Sequence, residues 1–148
     1  MKEEKLLIKR LTPTARLPIR ATEGSAGYDL CADILEPVTI EPGQTALIGT
    51  GIAAALPGRE TVGLVFGRSG LGVKYGIAPA NAVGVMDSDY RGEIKVGLHN
   101  HSRESYTVFP GDRIAQLVVV PVLLPQLEET GELPDTARAG GGWGSTGR

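Results

Sequence analysis

The residue types best suited to chemistry fall in three short segments. Asn81–Gly92 reads NAVGVMDSDYRG, with Asp87 and Asp89 beside the turn formed by Asp89-Tyr90-Arg91-Gly92. An aspartate carboxylate is ionised at neutral pH and can take a proton from water. In an extended stretch Asp87 and Asp89 would share a face, where they would repel each other or recruit a cation. A solvated hairpin tip is the other reading, and the commoner one for acidic turns. Tyr90 suits either packing or the wall of a ring-binding pocket.

The second segment, Gly67-Arg68-Ser69-Gly70-Leu71-Gly72, follows an apolar run and leads into a stretch able to form a short helix, Ser69–Gly76. Gly-rich turns and helix starts present unpaired N–H groups to anions. Arg68 can grip a phosphate with two N–H groups, and Ser69 can add a hydroxyl donor. No G-x-x-x-x-G-K-[ST] pattern occurs, so this is not a Walker loop. A capped turn accounts for the local pattern equally well. The third segment, Ala137–Arg148, reads ARAGGGWGSTGR. So much Gly with one large apolar side chain cannot bury enough surface to order itself. Taken alone it is a solvated end. Arg138, three consecutive glycines and one aromatic also suit a tail that orders around a phosphate.

Other candidates are weaker. His99 and His101 would share a strand face, but no Cys or further His completes a closed ligand set. Cys31 is the only cysteine. It excludes an intrachain disulfide and reads as a small core residue. Asp112-Arg113 reads as a structural ion pair opening an apolar strand. Gln116, amid apolar residues, needs hydrogen-bond partners or a ligand.

Elements that could position these groups follow from the apolar patterning. The chain has 148 residues, a net charge of -2 and 41% hydrophobic residues, enough for one domain with its own core. The total charge suggests no nucleic-acid surface. No apolar run approaches the roughly 20 residues that span a bilayer, and Met1-Lys2-Glu3-Glu4 is unlike a signal peptide. These features favour a cytoplasmic protein. Gly and Pro divide short Val/Ile/Leu-rich runs: Lys5–Leu11, Gln44–Leu56, Thr61–Phe66, Glu93–Leu98, Tyr106–Phe109 and Ile114–Leu124. Glu93–Leu98 alternates as a half-buried strand does. Ile114–Leu124 reads as a strand buried on both faces or at a subunit contact, its second half an edge or bulged strand because of Pro121 and Pro125. The class expected is an all-β sandwich or barrel.

In this order the segments resemble the trimeric dUTP diphosphatase (dUTPase) family. Five motifs carry the resemblance: Ala26-Gly27-Tyr28-Asp29-Leu30, Gly67–Leu71, Asn81–Gly92, Gly111-Asp112-Arg113-Ile114-Ala115-Gln116-Leu117 and Arg138–Gly147. The resemblance implies a jelly-roll-like β-barrel of the β-clip type, spanning residues 1–136, with a flexible tail over residues 137–148 that closes on the site. It implies a homotrimer with exchanged C-terminal segments, each site drawing the hairpin, the phosphate motifs and the tail from different subunits. The implied reaction hydrolyses dUTP to dUMP and pyrophosphate, which keeps uracil out of DNA and supplies dUMP for thymidylate synthesis.

The residue roles also come from the resemblance. Asp87 is the general base. Asn81 bonds uracil, aided by backbone groups near Val85, Met86 and Lys95, and Tyr90 packs under deoxyribose. Arg68, Ser69 and Gly70 contact the α- and β-phosphates, and Gln116 the α-phosphate and the attacking water. Arg138, Ser145 and Thr146 close on the γ-phosphate, Gly144 belongs to the same substrate-binding stretch, and Trp143 stacks on uracil. Asp29 supports a hydrated Mg²⁺ held mainly by the triphosphate. The sequence departs from the family's usual pattern at Trp143, commonly Phe, and at Ala139, commonly Gly. If position 139 needs positive φ, Ala there costs about 1 kcal/mol. Two other readings are dCTP deaminase, which shares the barrel, and a non-catalytic trimeric binding module. The uracil-type hairpin and complete tail disfavour the first; intact Asp87 and Arg138 disfavour the second as a sole role.

Overall fold

Ten strands and one short helix order the described residues, 5–147 of the computed structural model. Met1–Glu4 and Arg148, the two ends of the segments expected above, lie outside them. The elements are β1 (Leu7–Arg10), β2 (Tyr28–Cys31), β3 (Val38–Ile40), β4 (Thr45–Ala55), β5 (Thr61–Phe66), α1 (Ser69–Tyr75), β6 (Ile77–Pro79), β7 (Gly84–Met86), β8 (Glu93–Asn100), β9 (Tyr106–Val108) and β10 (Arg113–Pro121). The all-β class is as expected. One four-stranded sheet runs β1-β4-β8-β6, another β2-β10-β5-β7, and β3 pairs with β9, all antiparallel.

One apolar cluster joins the sheets. Ile48 and Ile52 of β4 and Val96 and Leu98 of β8 meet Leu30 of β2, Val65 of β5 and Ile114 and Leu117 of β10. Alternation decides which side chains enter. Along Glu93–Asn100, Ile94, Val96, Leu98 and Asn100 are buried, while the intervening residues are not. Asn100 is the polar member of that row, and its amide is satisfied by donation to the Ile40 and Glu104 carbonyls.

Strand β10 buries Ile114, Ala115 and Leu117 and is only half-buried over residues 118–120. Gln116 and Leu117 pair with both β2 and β5, whereas Val118–Pro121 pairs with β5 alone. The expected edge character of the second half is therefore present. Helix α1 ends at Gly76, whose φ of 67° is left-handed and lets its N–H close back on Leu71 and Gly72. After Pro121 the described chain has no regular element, and Leu123, Leu127 and Leu133 stand fully in solvent.

Candidate active site

An open cleft of about 680 Å³ lies between β7 and β8. Strand β7 pairs only with β5, and β6 meets β8 only at Leu98–Asn100. The edges of β7 and of β8 near Lys95 thus carry backbone N–H and C=O groups with no strand partner among the described residues. A planar ring with polar edges can bond such groups where a further strand otherwise would. Leu47, Val65 and Val85 give the cleft apolar walls; Asn81, Asp87, Tyr90, Glu93 and Lys95 give it polar ones.

The local sequence explains this opening. Asn81 sits in a turn in which the Ala82 N–H donates to Pro79 O (3.1 Å) and the Val83 N–H to Asn81 O (2.7 Å). Ala82 adopts φ of 62°, a strained conformation for a residue with a Cβ. Strand β7 ends at Met86, and the Tyr90 N–H donates back to Asp87 O (3.1 Å), closing a turn over Ser88 and Asp89. Asp87 and Asp89 therefore do not alternate along one strand. The shared face expected for them is absent because the turn begins at the first of the two. The Tyr90 hydroxyl donates to Glu93 O at 2.9 Å, which holds its ring across the hairpin. Glu93 accepts the Gly51 N–H and pairs with Lys95 Nζ at 3.6 Å.

A second group forms where β2, β10 and the start of α1 meet. Asp29 lies opposite Gln116, and Gln116 lies opposite Phe66. The Gln116 amide donates to Gly67 O at 2.9 Å, the partner its burial demanded. Its Oε1 lies over Gly27, where any Cβ would collide with it. Arg68 donates from Nε to Asp29 Oδ1 at 3.1 Å, and Arg113 from Nη1 to Asp29 Oδ2 at 3.4 Å. The expected Asp112–Arg113 pair is not formed: Asp112 Oδ2 instead accepts the Phe109 N–H at 2.8 Å. Arg113 stands opposite Cys31 beside a bulge, which brings it diagonally onto Asp29, two residues away on the same face. Sequence adjacency hid that partner. Ser69 and Gly70 are exposed in the first turn of α1, and a Cβ at Gly70 would touch nothing.

The register keeps the two groups apart. Met86 is opposite Gly63, which puts Asp87 level with Val62. From there to Phe66 is about 13 Å of strand, and β7 lies three strand spacings, about 14 Å, from β2. Asp87 and the Asp29–Arg68 pair thus stand about 19 Å apart in one chain by these spacings. Attack geometry needs reacting atoms within about 3.5 Å.

The tail makes local turns. Arg138 donates from Nε to Gly141 O at 2.8 Å, and Ser145 N donates to Gly142 O at 3.0 Å. Trp143, Gly144, Ser145 and Thr146 are exposed. Ala139 has φ of 45° and Trp143 of 48°. The departure from Gly at 139 therefore falls where a Cβ is costly.

Among the described residues no three of His, Cys, Asp and Glu gather to hold a metal. Asp29, the carboxylate that the resemblance offers to hydrated Mg²⁺, has both oxygens on guanidinium groups. It does not fit as a direct metal ligand. The His99 and His101 rings do share a face, stacked edge to face at 4.4 Å, with His99 Nδ1 against Thr45 Oγ1. Cys31 is half-buried, and burial pushes its thiol pKa up, with Asp29 adding to the rise and Arg16, Arg113 and Arg68 opposing it.

Comparison with known proteins bears on this arrangement. A sequence model of the dUTPase family matches residues 14–147. The deoxyuridine 5'-triphosphate nucleotidohydrolase of Idiomarina loihiensis is 49% identical over 146 residues, 99% of this chain and 97% of the relative. The dUTPase of Staphylococcus bacteriophage 80alpha, solved with dUpNHpp, superposes with a TM-score of 0.88 at 29% identity, covering 97% of this chain and 99% of that one. A mutant dUTPase of S. aureus phage phi11, described for its coordination of a structural Mg(II) ion, gives 0.80 at 27% identity over 88% and 99%.

Proposed function

The chain belongs to the dUTPase family, and from that premise we propose that it hydrolyses dUTP to dUMP and pyrophosphate at a site built by more than one subunit. The observation that carries the shared site is the register across β5 and β7, which holds Asp87 about 19 Å from the Asp29–Arg68 pair by strand geometry. A nucleotide gripped by one chain's hairpin needs its phosphates held by another's Arg68, Ser69, Gly70 and Gln116. The exposed Leu123, Leu127 and Leu133 support a homotrimer in which C-terminal segments cross to a neighbour, because so much apolar surface on an arm seeks cover.

In this reading uracil enters the cleft. The Asn81 amide and the free backbone edges near Val85, Met86 and Lys95 read its polar rim. A cytosine amino group would invert one of those contacts, which disfavours a dCTP deaminase. Tyr90, tied to Glu93 O, occupies the space a 2′-hydroxyl would need. Asp87, exposed at the cleft mouth, takes a proton from water as its oxygen bonds to the α-phosphorus. The bond from that phosphorus to the bridging oxygen breaks, and pyrophosphate leaves with the bond's electron pair. Residues 137–147 form the described part of the tail that closes over the site, with Arg138, Ser145 and Thr146 toward the γ-phosphate and Trp143 on the uracil face. Mg²⁺, when bound, would be held mainly by the triphosphate and waters, in keeping with its reluctance to dehydrate, and would supply charge neutralisation to the phosphates. A cytoplasmic location agrees with the single cysteine and with the absence, among the described residues, of any helix long and apolar enough to cross a membrane.

The test is pyrophosphate release from dUTP, dTTP, dCTP and UTP by the native protein and by Asp87→Asn. Turnover is expected with dUTP alone, and Asp87→Asn should abolish it while retaining dUpNHpp binding. Ammonia release from dCTP, or undiminished turnover in Asp87→Asn, would overturn the reading.

A further inference from the structure

Asp29 sits between two guanidinium groups. Its Oδ1 accepts Arg68 Nε at 3.1 Å and its Oδ2 faces Arg113 Nη1 at 3.4 Å. The Asp29 carboxylate is 15% exposed, against 26% for Arg68 and 55% for Arg113. Arg68 spends only its Nε on the carboxylate, and its two Nη groups take no protein acceptor among the described residues. Arg113 likewise spends a single N–H. One carboxylate held by two permanently charged guanidinium groups leaves a local excess of one positive charge. The Asp29 backbone is fixed as well: its N–H donates to Ile19 O at 2.8 Å, and it lies opposite Gln116 in the β2–β10 pair.

We propose that Asp29 is a positioning residue that presets Arg68 and Arg113 as a paired receptor for the nucleotide's phosphates, and that it does so without a metal. Arg113 thereby joins the phosphate site as a second arm. The inference rests on the reading above that Arg68 binds phosphate. It differs from the family-based expectation that Asp29 serves hydrated Mg²⁺. The physical gain is preorganisation. A free Arg side chain must be immobilised when it binds an anion, whereas one already pinned through a single N–H keeps its remaining donors aimed and loses less freedom.

Three accounts of Asp29 predict different results for Asp29→Asn, measured as dUpNHpp affinity in EDTA and again in Mg²⁺. If Asp29 only offsets positive charge, removing it leaves the site more cationic, and the analogue binds tighter. If it serves the metal, affinity in EDTA is unchanged and only the Mg²⁺ value falls. If it positions the arginines, affinity falls about tenfold or more in both buffers. The last result is expected. Deoxyuridine, which lacks phosphates, serves as the folding control in an NMR titration: its binding should be unaltered, whereas a collapsed variant would lose both ligands. Arg113→Gln should weaken dUpNHpp in the same phosphate-specific way. Arg68→Ala separates the two levels of argument. If Arg68→Ala leaves dUpNHpp affinity intact, the phosphate reading falls and the proposal with it. If Arg68→Ala weakens binding but Asp29→Asn does not do so in EDTA, the positioning role alone is overturned.

Discussion

Two inactive variants should restore each other if the register argument holds. Asp87→Asn removes the carboxylate proposed to activate water at the hairpin, and Arg68→Ala removes the proposed phosphate ligand beyond the far end of β5. Strand spacing sets these groups about 19 Å apart in a single chain, too far for one bound nucleotide's α-phosphate to meet both. Each site must then take its hairpin from one subunit and its phosphate motif from another. In trimers assembled at random from equal amounts of the two variants, a site has a native hairpin with probability one half. Its phosphate motif, drawn from a different chain, is native with probability one half independently. About one quarter of sites should be intact, so a mixture of two dead proteins should recover about 25% of native activity. The variants would be co-expressed with different tags, doubly purified to retain mixed trimers, and assayed for pyrophosphate release from dUTP. The doubly tagged pool excludes pure trimers and should read somewhat higher. If Asp87 and Arg68 of the same chain serve one site, no combination is intact, and an inactive mixture would refute the argument outright.

Gly70→Ala should separate fold from function: a Cβ there meets nothing and alanine favours a helix by up to about 1 kcal/mol, so thermal stability should hold or rise. The KM for dUTP should nevertheless rise about tenfold as a methyl group intrudes on the phosphates; an unchanged KM would mean that the glycine does not serve the ligand. Ala139→Gly should relieve roughly 1 kcal/mol at the left-handed position and tighten dUpNHpp binding by up to about fivefold, if the closed tail keeps that conformation. Trp143, the only tryptophan and fully exposed, supplies the readout through its emission; looser binding in Ala139→Gly would contradict the assignment. Burial raises the Cys31 thiol pKa in the folded state, so above about pH 8.5 the unfolded chain ionises first and binds fewer protons. Stability should therefore decline as pH rises through that range, and thermal unfolding of Cys31→Ala should show a shallower alkaline slope.

The long strands were legible because each contains several periods of its own pattern. Thr61–Phe66 is the run expected, and β8 extends the alternation of Glu93–Leu98 by two residues. Strands β2, β3, β6 and β7 have only three or four residues, too few for periodicity to speak. Their state is fixed by partners: Asp29 is in a strand because β10 runs beside it. The same distinction divides the site. Asp87, Arg68 and Gln116 were visible as residue types within motifs, and the cost of Ala139 followed from backbone sterics. The Asp29–Arg113 contact depends on a bulge between strands far apart in sequence, whereas adjacency alone points Arg113 to Asp112.

That division has a mechanistic consequence. A motif carries the identity of a catalytic group, but register across a sheet decides which groups one chain can bring to one substrate. Here the register puts the β7–β8 cleft at one edge of the sheet and the Asp29–Arg68 pair at the other. In the proposed reading the first takes the nucleobase and supplies the general base, and the second takes the phosphates. Each half can be held rigidly by its own strands, with Asp29 beside the Arg68 and Arg113 guanidinium groups and Asp87 kept about 19 Å from them. An ion pair between Asp87 and Arg68 would compete with the Asp29–Arg68 pair and occupy the Asp87 carboxylate. Keeping them on opposite ends of one sheet, and letting assembly and substrate bring them together, leaves each group unpaired with the other until the nucleotide lies between them.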